Sequence, residues 1–165
     1  MQLGLAICLA REQKYREAME LLNDLIHKNP DHYEAYHEVG SISFVIGDFQ
    51  NAKILFGIAM QKNPAYIPSQ RSYAETMLEL GEYENCVQTL HNILIRKPDD
   101  VQTLLRMAKL YEEVGKRDMA VGYLSTAIGY DPHNEQLIRL ASAYSDYYMN
   151  NPDPGTFAGV TDASG

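Results

Sequence analysis

The chain has 165 residues, 45% apolar and 22% charged, an ordinary balance for a folded globular protein able to enclose a substantial core. Its formal net charge of −8 argues against a general binder of nucleic-acid backbones, and against docking on anionic membranes. Two cysteines, Cys8 and Cys86, with no CxxC pair and no Cys/His cluster, give no zinc framework; both are expected as packed free thiols, which fits a reducing, cytoplasmic setting.

In chain order, the first apolar run, Leu3 to Ala10, has the look of a signal-peptide core. It lacks a basic residue ahead of it and is too short to span a bilayer. It reads instead as a helix over 2–12, almost without a polar face, so burial on more than one side is expected. Helices follow at 15–28, 33–46, 49–62, 67–80, 83–96, 101–114, 117–130 and 135–148, each with an apolar stripe at helical spacing. Pro68 falls in the first turn of its helix, where a missing amide costs little. The last helix carries Gln136, Arg139, Ser142, Ser145 and Asp146 between its apolar residues, as a terminal cap with a wet outer side requires. After Asn150 come turn formers and then a small, polar, acidic stretch, read as a flexible tail over 150–165; Phe157 and Val160 are its only candidates to anchor in a groove.

A constant step runs through these elements. Pro30, Pro64, Pro98 and Pro132 recur every 34 residues, and Gly47, Gly81 and Gly115 keep the same step at the turns. Ala6, Gly40, Ala74, Ala108 and Ser142 form one column of small residues, and Ala18, Ala52, Cys86 and Ala120 form another. Small side chains in both places allow close helix packing, ridge into groove. Larger columns fill the rest: Leu5, Val39, Tyr73 and Met107, then Leu22, Phe56, Leu90 and Leu124. Tyr15, Phe49 and Tyr83, just past the turns, are placed to cap the helix junctions, a column that Arg117 breaks.

These residues resemble the tetratricopeptide repeat. The second unit matches best, with Tyr36, Val39-Gly40, Gly47, Phe49, Ala52, Phe56, Ala59 and Pro64; the fourth follows with Leu104, Met107-Ala108, Tyr111, Gly115, Ala120, Leu124, Ala127 and Pro132. Departures are Gln70 for the bulky residue, Leu25 and Ile93 for the second alanine, and Gln13 for a turn glycine. The resemblance covers 1–149 and implies an all-α, right-handed solenoid of about four and a half helix-turn-helix units: 1–32, 33–66, 67–100, 101–134 and a capping helix at 135–149.

Nothing catalytic stands out. His32, Glu34, His37 and Glu38 cluster in sequence, but not at HExxH spacing and with no third histidine on the same face, so no metal is expected. Gly40-Ser41-Ile42-Ser43 is not a nucleophile elbow, and no Walker loop or dinucleotide fingerprint occurs. No enzyme activity and no cofactor are expected.

The resemblance implies a protein-binding scaffold or adaptor, with the first helix of each unit lining a groove for a partner peptide or helix. The groove residues that register selects are His37, Ser41 and Phe44; Arg71, Glu75 and Leu78; Leu105, Lys109 and Glu112; and Arg139, with Leu3 and Ile7 from the first unit. A subclass that clamps a partner's terminal carboxylate is not expected, since His37, Ser41, Ser72 and Gln102 stand at its key places and only Arg106 fits. Two alternatives remain open: a self-assembling subunit joined through Leu3, Leu5, Ile7 and Leu9, or a regulatory fragment of a larger repeat protein.

Overall fold

The computed structural model describes residues 1–150, with side chains described through Tyr144; the expected tail and its Phe157 and Val160 anchors lie outside the described residues, as do the side chains of Ser145 and Asp146. Among the described residues there are helices and no strands: α1 (Gln2–Arg11), α2 (Tyr15–Lys28), α3 (Tyr33–Val45), α4 (Phe49–Lys62), α5 (Ile67–Glu79), α6 (Tyr83–Arg96), α7 (Val101–Glu113), α8 (Arg117–Tyr130) and α9 (Glu135–Asn150). The chain divides into two compact units, Met1–Pro98 and a second that begins at Asp99. In the first, each helix from α1 to α6 packs on the next, and α3 also touches α1 and α5; in the second, α7 packs on α8 and α8 on α9.

Local chemistry sets the helix ends. Gly47, Gly81 and Gly115 stand in the left-handed region, with φ of 86°, 75° and 76°. Past each, an amide bonds back five residues: Asp48 N to Ser43 O at 2.9 Å, Glu82 N to Met77 O at 2.8 Å, Lys116 N to Tyr111 O at 2.8 Å. This closes the orphan carbonyls of the first helix and stops it one residue short of the sequence expectation. Second helices end differently. Asn29, Asn63, Lys97 and Asp131 each precede a proline and leave the helical region, with φ between −140° and −135° and ψ between 74° and 93°, because the proline ring crowds that region.

At the first turn Gln13 takes the glycine's place at φ 62°. Lys14 N still bonds to Leu9 O at 2.9 Å, so the turn is the same and a side chain carries its steric cost. Gln13→Gly should stabilise the fold by about 1 kcal/mol, read as a higher urea midpoint at unchanged slope. A lower midpoint would mean that the left-handed turn is not where the cost lies.

The columns become the core. Ala6, Ala18, Leu22, Ala52, Phe56, Cys86 and Leu90 are all buried in the first unit, and Met107, Ala108, Ala120 and Leu124 in the second. Each fully buried Leu or Phe contributes about 1.5–3 kcal/mol. Gly40 is a packing necessity, since a Cβ there would lie 2.9 Å from Phe56 Cε1. Gln70, in place of a bulky residue, is buried and satisfied: its Nε2 donates to Pro64 O at 2.7 Å, and Arg96 donates to both its Oε1 and Pro64 O. One repeat earlier the same two positions hold Tyr36 and Lys62, whose ammonium lies 5.7 Å from the ring centroid.

Four column assignments fail. Cys8 and Leu5 are exposed, Leu5 at 54%, although the matching positions in α3, Ile42 and Val39, are buried. α3 has α2 packed against it, and among the described residues no helix precedes α1 to cover the corresponding side. Tyr83 is 51% exposed, where Phe49 one repeat earlier is half-buried and packs edge to face on Phe44. Ser142 is exposed on the last helix, where no further pair packs among the described residues.

Candidate interaction surface

In α3 the core takes Ala35, Val39, Gly40, Ile42 and Ser43, which leaves His37, Glu38, Ser41 and Phe44 half-buried. In α5 it takes Ser69, Gln70, Ala74, Thr76 and Met77, leaving Arg71, Glu75 and Leu78 half-buried. α3 touches both α1 and α5, so these first helices lie side by side within the first unit, and their half-buried residues are the candidate wall. Its residues toward the turns, Phe44 and Leu78, are apolar; those toward the helix starts are polar or charged.

His37 is fixed rather than free. Its Nδ1 lies 3.1 Å from the buried Ser69 Oγ, and its ring packs 5.4 Å from both Phe56 and Tyr66, the latter edge to face. Burial among these rings penalises the charged imidazole and lowers its pKa to about 4. At neutral pH it is therefore an uncharged part of the wall. Ser41 Oγ turns back to His37 O at 3.0 Å, and Phe44 meets Phe49 edge to face at 5.2 Å.

An acidic margin borders the ring cluster. Burial raises the Glu38 carboxyl pKa, opposed by Arg11 of α1. Tyr66 is raised as well, first by burial, then by Glu38, Glu34 and Tyr33, with Arg71 opposing. Glu34 Oε2 also lies 3.2 Å from His32 Nδ1. Sequence reasoning passed over Tyr66 because it sits in the connection before α5, outside the helical periodicity that selected the other wall residues. No three His, Cys, Asp or Glu side chains converge for a metal among the described residues.

In the second unit Leu105 is half-buried on α7, while Lys109 and Glu112 are exposed. Glu112 accepts a hydrogen bond from Tyr144 Oη of α9. Arg139, exposed on α9, reaches Glu135 at 3.5 Å within its own helix. On α1, Leu3 and Leu9 pack against the buried cluster of Ala6, Leu22 and Val39; Ile7 is half-buried, and Leu5 is left outside.

No helix among the described residues is long and apolar enough to cross a membrane. A family profile described as tetratricopeptide repeat matches residues 1–32. The CTR9 homologue of Arabidopsis thaliana is 28% identical over 94 residues, 54% of this chain and 9% of that protein, so the chain spans under a tenth of that relative's length. Among solved structures, TTC0263, a thermophilic repeat protein of Thermus thermophilus, aligns with TM-score 0.78 and 19% identity over 87% of this chain and 79% of its own. MamA aligns at 0.71 with 22% identity, over 82% and 79%. YrrB, described as having an unusual peptide-binding site, aligns at 0.67 with 14% identity, over 92% and 78%.

Proposed function

We propose that this chain, similar to the tetratricopeptide repeat family over residues 1–32 and to solved proteins of that fold, is a non-catalytic scaffold that holds a partner polypeptide against the first-helix faces of its repeats. Proteins of this fold act generally as platforms for other proteins. The observation that carries the reading is the half-buried band His37–Ser41–Phe44 beside Arg71–Glu75–Leu78, side chains that the core leaves over and that adjoin on neighbouring helices. Apolar Phe44 and Leu78 supply anchors, and the charges of Arg71 and Glu75 set register. In the second unit Leu105, Lys109, Glu112 and Arg139 are assigned the same role. The cysteine usage supports a cytoplasmic setting.

A second reading rests on Leu5, exposed at 54%: the α1 edge of Leu3, Leu5, Ile7 and Leu9 joins copies of the chain. One experiment separates the two. Affinity capture from source lysate uses the natural chain and the Arg71→Glu/Lys109→Glu variant as baits, with circular dichroism to confirm equal helicity. A protein retained by the first and lost by the second is the expected result. Identical retention overturns the wall, and retention of bait copies alone supports the α1 edge.

A further inference from the structure

Around α5, Tyr73 and Met77 lie roughly half a turn from Arg71, Glu75 and Leu78. They floor a separate trough between α4 and α6, made of two open hollows of ≈ 400 and ≈ 320 Å³ that meet at Lys53 and Tyr73. Gln50, Ile54, Gly57, Ile58 and Gln61 of α4 line the first hollow; Asn85, Gln88 and Asn92 of α6 line the second.

Gly57 lines the first hollow beside Tyr73. A Cβ there would meet Tyr73 Cε2 at 3.8 Å, an ordinary contact, so packing does not demand glycine as it does at Gly40. A glycine inside a helix costs about 1 kcal/mol against alanine. What the missing side chain leaves is space over the Tyr73 ring, flanked by Ile58 and by Ile54, which is 61% exposed. The space has the chemistry of a seat for one apolar side chain.

The rest of the lining is neutral. Its only charges, Lys53 and Glu82, satisfy each other at 2.7 and 2.9 Å, and Asn85 Nδ2 donates to Glu82 at 3.1 Å. The carboxamides of Gln50, Gln61, Gln88 and Asn92 each offer two donors and an acceptor. Such groups match the N–H and C=O of an extended backbone, which a helix instead keeps bonded to itself. We propose that this trough binds an extended, uncharged segment of a partner protein, seating an apolar side chain over Tyr73 in the space that Gly57 leaves. The site is independent of the first-helix wall, so one chain can hold two segments at once.

The test uses short random peptides displayed on phage, selected on the full chain, then titrated by fluorescence anisotropy. Gly57→Leu fills the seat while improving helix propensity, and circular dichroism and urea unfolding check that it keeps the fold; Gly57→Ala is the control that leaves most of the space. Uncharged peptides with an apolar residue should bind the natural chain, Gly57→Ala and Arg71→Glu alike, and lose about tenfold or more affinity on Gly57→Leu. Equal binding to Gly57→Leu overturns the proposal. So does a selection that returns only charged peptides lost with Arg71→Glu, or no peptide at all.

Discussion

Replacing Gly40 by alanine should destabilise the first unit by about 1–3 kcal/mol. The new Cβ would lie 2.9, 3.0 and 3.2 Å from three atoms of the Phe56 ring, which is buried and backed by His37 5.4 Å away, so the ring has little room to retreat. The matching pairs in the other repeats are Ala6 with Leu22, Ala74 with Leu90 and Ala108 with Leu124. Each has alanine opposite leucine, where this repeat has glycine opposite phenylalanine. Phe56→Leu alone should cost about 1 kcal/mol through the space it opens. The double variant restores the combination found elsewhere in the chain and should sit closer to the natural protein than Gly40→Ala does. Urea unfolding of the four proteins checks this. Simple additivity of the two losses would show that Cβ and ring do not contend for the same volume.

The second large effect is expected in acid. His37 takes a proton in the unfolded chain near its ordinary value of 6.5, but in the fold only near 4. Between those limits the unfolded state binds more protons, so stability falls as pH drops and is fully regained above about 7. The loss should be on the order of 2–3 kcal/mol, allowing for partial exposure of the ring. Glu38 works the other way: its raised carboxyl takes a proton more readily in the fold, which offsets part of the loss near its own titration. His37→Gln removes the titrating ring, and its stability should vary less between pH 7 and pH 4. Equal slopes for variant and natural protein would place the acid sensitivity elsewhere.

Much of this fold was legible because its determinants are periodic. Prolines and glycines at one fixed step located the helices to within two residues, and the small columns located most of the core. Most of the misassigned positions lie at the ends of the described array. A column states what a repeat does between neighbours, whereas Leu5, Cys8 and Ser142 stand on the first and last of the described helices; the exposure of Tyr83 has no such account. The wall positions followed from register, but their chemistry did not. That His37 is a neutral, ring-packed imidazole depends on Ser69 and Tyr66, about thirty residues away in sequence and adjacent only once α5 lies along α3. The Gln70–Arg96 contact was hidden in the same way, although the Tyr36–Lys62 pair one repeat earlier gave its pattern.

The stops and turns have a consequence for how such a chain can change over time. Gly47, Gly81, Pro30 and Pro64 fix where helices end through backbone conformation, and all four are exposed. The two glycines meet the wall residues Phe44 and Leu78 only through main-chain hydrogen bonds, which do not depend on the side chains there. The ruler and the text are thus written in different letters. Substitutions that give the wall a new partner leave the spacing intact, and the spacing needs no knowledge of what is bound. A lineage could exchange ligands repeatedly on an unaltered frame, drifting in specificity while its architecture is held constant by a handful of residues that act through the main chain.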